Sequence, residues 1–382
     1  MAASHHNRKI YITCLHLLHG GVENVISNLA NAFVEQGMEV TILCTYHLGA
    51  PVYALHPDVQ VEYLTFLHPN RDAFRSAFKK RHFLQMIREG IYAIRVLYQK
   101  RSTMKKAIQS IKTGTIISTR HEHSLLLSKY GNSAVKKIAQ LHHDHNFNKR
   151  LIYDFCHRYQ NIDYFALLTE QHTKEISTLM EKYNTHTKCL TIPNFIDLPL
   201  VIERPSLQNQ VISVGRLEKE KGFDRLLQIW SLVAADIPNW KLKIIGDGTQ
   251  KELLEDIIKK MNLENSVTLM GAMSNENTIR EIRQSQIYAM TSYTEAFPLV
   301  IAEAQSCGLP VIAFDVRVGP KVMIADGIDG FLVKDNDFQS FATNMLCLAN
   351  DADLREKYGK AALESAKKYI KDQVIDRWMQ IL

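Results

Sequence analysis

Two glutamates, Glu295 and Glu303, stand eight residues apart in TSYTEAFPLVIAEAQS with almost nothing polar between them. A carboxylate accepts two hydrogen bonds at once, which suits the vicinal hydroxyls of a sugar or a ribose. Glu295 follows Ile287 to Tyr293, a run that reads as a strand. In open α/β sheets ligands bind outside the carboxyl ends of the strands. Pro298, after Phe297, suits a first helical position. The backbone N–H groups around Ala296 to Leu299 then point out of a helix start and form an anion site. Glu303 falls in the first turns of that helix. A capping glutamate followed by a surface glutamate would give the same pattern.

A second candidate is GRLEKEKG, residues 215 to 222. Arg216 offers a planar fork to phosphate oxygens, and Lys221 adds a point charge. Gly215 and Gly222 let backbone approach a ligand, so a diphosphate could be held here without a metal. A solvated charged loop is the plainer reading, because Glu218 and Glu220 dilute the positive charge. KIAQLHHDHNF supplies His142, His143 and His145 beside Asp144. These types could bind a metal, although consecutive residues of a strand face opposite ways. ISTRHEHS ends another strand with Arg120, His121, Glu122 and His123, which would serve equally as an ion pair or a helix cap. Two Asp-x-Asp strings, 335 to 337 and 351 to 353, precede helical runs and read as N-caps.

The elements that must position these residues alternate. Lys9 to Leu17 reads as a strand, and HGG (residues 19 to 21) as a loop. Val22, Ile26, Leu29 and Phe33 form a helical stripe closed by Gly37, and Glu39 to Tyr46 is the next strand. The unit recurs with a strand at Val211 to Val214, a helix striped by Phe223, Leu226, Leu227 and Trp230, and a strand at Lys241 to Ile245 ending in Gly246. Strands and helices continue to alternate as far as PVIAFD, and Asp353 to Leu382 reads as mostly helical. Parallel doubly wound sheets follow. The length, 382 residues, suits two domains. Prolines 193, 199 and 205 mark a connection over residues 195 to 209.

A formal charge of +6 is too weak to argue for nucleic acid. Six cysteines scattered singly give no disulfide framework. No secretory signal and no spanning run of apolar residues is read, so a cytoplasmic protein is expected. Residues 71 to 112 carry twelve Lys or Arg against Asp72 and Glu89, with apolar residues interleaved. Such a basic amphipathic stretch either lies on an anionic membrane surface or docks its stripe on the sheet. No G-x-G-x-x-G follows the first strand, which disfavours a dinucleotide oxidoreductase.

Taken together, GGVE (Gly20 to Glu23), GRLEKEKGFD, IGDG (Ile245 to Gly248) and Glu295-x7-Glu303 resemble glycosyltransferase family 4 over nearly the whole chain, most strongly from about 190 to 335. The resemblance implies the GT-B fold, two Rossmann-like domains facing each other across a cleft. Residues 1–194 would read the acceptor and residues 195–360 would bind a nucleotide sugar. Residues 361–382 would pack back on the first domain.

It implies that Arg216 and Lys221 neutralise the diphosphate and that Glu303 binds the ribose. Glu295 would meet the donor sugar, with the backbone of Ala296, Phe297, Pro298 and Leu299 on sugar and phosphate. Gly20, Gly21, Gly215 and Gly246 would border the donor. His142, with His143 second, would contact the donor sugar or the reacting hydroxyl. Arg120, His121, Glu122 and His143 become acceptor-side candidates. The implied activity is retaining and needs neither metal nor cofactor. A hexose or N-acetylhexosamine would pass from a UDP-sugar to a saccharide or lipid-linked acceptor in envelope polysaccharide assembly. The rival readings are a sugar-nucleotide epimerase and a non-catalytic scaffold of the same fold; the latter would have lost the donor residues that stand intact here.

Overall fold

Apolar runs bounded by Gly, Asn and Asp make strands that are buried on both faces, as parallel strands require. A computed structural model describes residues 8–18, 20–80, 82–198, 200 and 207–382. His19, Arg81, Pro199 and residues 201–206, including Pro205, lie outside the described residues, as does part of the expected connection. The chain divides into two compact units: residues 1–192 with 375–382, and residues 193–374.

The first unit runs β1 (Lys9–Cys14), α1 (Gly21–Glu35), β2 (Glu39–Tyr46), β3 (Gln60–Thr65), α2 (Arg71–Lys79), α3 (Phe83–Ser110), β4 (Thr115–Ser118), α4 (His121–Tyr130), β5 (Lys136–Leu141), α5 (Lys149–Arg158), β6 (Tyr164–Leu167), α6 (Glu170–Met180) and β7 (Lys188–Thr191). Its strands pair in the order β3-β2-β1-β4-β5-β6-β7, all parallel. Strand order reverses between β1 and β4.

The second unit runs β8 (Gln210–Val214), α7 (Phe223–Val233), β9 (Lys241–Ile245), α8 (Lys251–Lys260), β10 (Val267–Gly271), α9 (Asn275–Gln284), β11 (Ile287–Met290), α10 (Leu299–Ser306), β12 (Val311–Asp315), α11 (Gly319–Met323), β13 (Gly330–Lys334), α12 (Phe338–Asn350) and α13 (Ala352–Ala366). Its parallel strands run β10-β9-β8-β11-β12-β13, so the reversal lies between β8 and β11. A last helix, α14 (Lys371–Met379), carries the chain back into the first unit.

Each sheet has its own core. In the second unit α7 buries Leu226, Leu227, Trp230 and Val233 against β8, β9 and α12. In the first, Met104 and Ile108 of α3 join Leu127, Phe155 and Phe165. Asp337 caps α12 through the Ser340 N–H at 3.0 Å, and Asp351 caps α13 through Leu354 at 2.9 Å. Asp335 differs from the expected cap: its carboxylate accepts from Arg225 at 2.7 Å. No helix of the described residues is long and apolar enough to cross a membrane.

Candidate active site

In a doubly wound sheet, the loops after the two strands that flank the order reversal splay apart and leave a crevice at their carboxyl ends. In the second unit these loops are residues 215–222 after β8 and 291–298 after β11. They are stitched together. The Tyr293 N–H donates to the Glu220 carbonyl at 2.8 Å, and the Thr291 hydroxyl to the Gly222 carbonyl at 2.8 Å. Lys221 Nζ lies 2.6 Å from Glu295 Oε1, and the Ser292 hydroxyl donates to the same oxygen at 2.8 Å. Arg216 reaches outward, paired with Glu220 at 2.6 Å and largely exposed. So Lys221 and Glu295, distant in sequence, meet at one crevice, and Arg216 lies on the same loop but points outward.

The backbone allows this closeness at two glycines. Gly222 has φ +63°, and a Cβ there would lie 2.1 Å from the Thr291 carbonyl oxygen. Gly246 has φ +148°, and a Cβ there would lie 1.8 Å from the Gly215 carbonyl oxygen. The strand expected to reach Tyr293 stops at Met290. The reason is Arg225, whose guanidinium donates to the carbonyls of Thr291 at 2.9 Å and Ser292 at 2.7 Å and so takes them from the ladder. It also stacks between Tyr293 and Phe314. Sequence reasoning missed this residue. The signal was an arginine beside Leu226 on the buried stripe of α7, where a charge needs several partners.

Pro298 is the N-cap of α10, and Glu303 follows in its second turn. The Glu303 carboxyl has no hydrogen-bond partner among the described residues, and burial pushes its pKa up to about 7. Tyr288 of β11 is fully buried, and its hydroxyl meets Val214 of β8. The charges of Glu303 and Glu295 both act on that phenol, after the larger effect of its burial. The two carboxylates therefore share one neighbourhood. Glu295 is held by Lys221 and Ser292, whereas Glu303 is left open.

In the first unit the reversal between β1 and β4 brings Glu23 of α1 to Arg120, the residue before α4. Their ion pair measures 2.7 Å, with the glutamate buried. Gly20 is the N-cap of α1, and Gly21 faces open space. His121 is held by the Tyr159 hydroxyl at 3.0 Å and by Asp154 at 2.9 Å. Glu122 pairs with Lys100. His123, grouped with them at the end of the strand, is buried between Thr13 and Thr45 of β1 and β2.

His142 follows β5. It is buried, and neither ring nitrogen has a partner among the described residues. Burial, helped by His143 and Arg120, pushes its pKa down to about 3, so the imidazole is neutral at physiological pH. His143 is exposed, and His145 turns away to Glu175 at 3.1 Å.

Residues 200–365 match the family described as Glycosyl transferases group 1. The chain is 27% identical over 369 residues to an uncharacterized glycosyltransferase of Haemophilus influenzae, covering 95% of this chain and 96% of that one. It is 38% identical over 175 residues to the amylovoran biosynthesis glycosyltransferase AmsD of Erwinia amylovora, covering 46% of this chain and about half (48%) of that protein. Among solved structures, the pneumococcal O-GlcNAc transferase GtfA with UDP and GlcNAc superposes with TM-score 0.77 at 16% identity over 98% of both chains. The chain is a glycosyltransferase with the GT-B fold, and its residues 200–365 carry the glycosyl transferases group 1 match.

Proposed function

We propose that this chain is a retaining, metal-independent glycosyltransferase that moves a hexose or N-acetylhexosamine from a UDP-sugar. The acceptor is a saccharide or lipid-linked saccharide of an envelope polysaccharide. The observation that carries the reading is the crevice at the strand-order reversal of the second unit. There Lys221 and the start of α10 lie beside two carboxylates, one tethered and one open, with Arg216 on the loop that carries Lys221. This set matches a nucleoside diphosphate sugar group by group. Glu303 accepts from the ribose diol, Arg216 and Lys221 neutralise the diphosphate, and Glu295 with the backbone of Ala296, Phe297 and Leu299 faces the sugar. The UDP bound to the similar GtfA fold and the polysaccharide role of AmsD favour the donor and the pathway.

In the reaction the bond between the anomeric carbon and the β-phosphate oxygen breaks, and the acceptor oxygen bonds to that carbon on the same face. The acceptor proton passes to the departing phosphate oxygen. Negative charge grows on the diphosphate as the bond breaks, and fixed cations and N–H dipoles stabilise such charge more in the transition state than before it. Gly20, Gly21 and His142 of the first unit are the residues this reading assigns to the donor phosphate and the reacting sugar. A neutral, unpartnered imidazole suits a sugar hydroxyl, since it can accept or donate without a competing bond. Arg120, His121, Glu122 and His143 remain acceptor-side candidates.

Thermal melting with UDP, GDP and ADP and their common sugar conjugates, in EDTA, tests the donor site. UDP compounds should raise the melting temperature by several degrees at a hundredfold excess over Kd, corresponding to about 2.7 kcal/mol. No shift by any nucleotide at millimolar concentration would remove the proposal, and a shift that requires added metal would remove its metal-free part.

A further inference from the structure

Among the described residues, nine of the large apolar side chains that are exposed lie within residues 74 to 98. They are not scattered. Leu84, Ile87, Ile91, Ile94 and Tyr98 recur at spacings of three and four along α3, with Phe83 beside Leu84, so they line one face of it, and each is 52% to 85% exposed. α3 docks instead through Val96 and, in its C-terminal turns, through Met104, Ala107 and Ile108. The stripe therefore does not cover the sheet, which was the plainer expectation for this segment. α2 folds against α3, with Asn70 bonded to Glu89 at 2.8 Å, and adds Phe78 to the exposed apolar surface.

Charge decides what covers this face. Glu89 is the one described acidic side chain in residues 73 to 112, and it is already engaged by Asn70 and Arg88. Arg75, Lys79, Lys80, Arg95, Arg101 and Lys106 have no acidic partner among the described residues. Arg88, Arg95 and Lys106 fall along one flank of the apolar row by their helical spacing. A second copy of this chain would set the same uncompensated cations against each other, which disfavours self-association through the face. An anionic bilayer accepts both features: its acyl boundary takes the apolar row and its headgroups take the cations. The exposed part of α3 runs for about 24 Å at 1.5 Å per residue, long enough to lie in the surface plane.

We infer that the exposed face of α2 and α3, centred on Ile87, Ile91 and Ile94 and flanked by Arg88, Arg95 and Lys106, is a docking surface for an anionic lipid bilayer on which the helices lie without spanning it. The full chain should be sedimented with vesicles of phosphatidylcholine alone and of phosphatidylcholine mixed with phosphatidylglycerol. Binding to the mixed vesicles should be at least about tenfold tighter and should weaken as salt rises from about 0.1 to 0.5 M. The triple variant Ile87→Ser, Ile91→Ser, Ile94→Ser should lose binding to both compositions. The triple variant Arg88→Gln, Arg95→Gln, Lys106→Gln should lose the preference for the anionic one. All six positions are surface sites, so both variants should keep the parent melting temperature. Equal binding to the two compositions, no binding to either, or binding unchanged by both variants would overturn the inference. A dimer that the isoleucine variant abolishes, without vesicle binding by the parent, would assign the face to a second copy instead. The readout needs no nucleotide, so its failure and that of the donor site are separable.

Discussion

Glu303 shows how one side chain can be costly alone and useful with a ligand. Burial holds its pKa near 7, against an ordinary 4.5. The folded protein therefore binds this proton more tightly than the unfolded chain does. The associated stability is fully present below pH 4.5 and is lost as pH rises through 7. Glu303→Gln, which cannot ionise, should be more stable than the parent at pH 8 by on the order of 1–2 kcal/mol, the lower part of what the shift allows because the side chain is not wholly enclosed. A ribose diol donates two bonds to the carboxylate, which are stronger than those it can make to the acid. UDP affinity of the parent should thus rise about tenfold from pH 6 to pH 8, as the ionised fraction grows. Titration calorimetry at the two pH values reads this directly. A pH-independent affinity in the parent, or the same dependence in the glutamine variant, would remove Glu303 from the ribose role. Glu295 differs because Lys221 and Ser292 already satisfy it, which keeps a charged group in place without a ligand.

At the scale of elements, the loops after β8 and β11 are one joined piece, and Gly222 is where their backbones touch. Gly222 and Gly271 test this together, because both take the left-handed conformation, with φ +63° and +74°. A Cβ on Gly271 meets nothing within 4 Å, whereas one on Gly222 meets the Thr291 carbonyl. Gly271→Ala should cost about 1 kcal/mol, the left-handed penalty alone. Gly222→Ala should cost more, about 3 kcal/mol or above, and should abolish the thermal response to nucleotide. Denaturant melts of the two variants give the order, and a smaller loss at 222 would mean that the loops are not fixed against each other. Much of this was readable beforehand. The strands at Glu39–Tyr46 and Lys241–Ile245 and the helix striped by Phe223, Leu226, Leu227 and Trp230 stand where their apolar periods put them. The paired carboxylates and the Arg216 and Lys221 loop were visible because polar residues at strand ends break an apolar pattern. The Arg225 clamp and the burial of His123 were not, because each depends on which backbone carbonyls or threonines arrive from strands far away in sequence. Periodicity likewise found the amphipathic face of α3 but could not say which side the sheet would take.

The whole molecule has two cores and a chain that passes between the units twice. The C-terminal eight residues, Ile375 to Leu382, belong to the first unit although everything from 193 to 374 belongs to the second. The reading that ended the nucleotide-binding domain at 360 placed this return earlier; α13 and the start of α14 stay with the second unit. What fixes the return is Trp378. Its indole is 1% exposed and meets Phe33 of α1 edge-on at 5.9 Å, while the Leu382 carbonyl accepts from Arg8 at 2.8 Å and Lys136 at 3.1 Å. Trp378→Ala removes a large buried side chain from the first core and should cost about 3–5 kcal/mol. For a unit of this size that corresponds to a fall of roughly 6 to 20 °C in its transition. The cost should fall on the first unit only, because none of these contacts belongs to the second core. Calorimetry should therefore separate a lowered first transition from a second that stays in place and still rises with UDP. A variant that lowers both transitions together would mean that the two units melt as one cooperative body, with the C-terminal segment as a shared support.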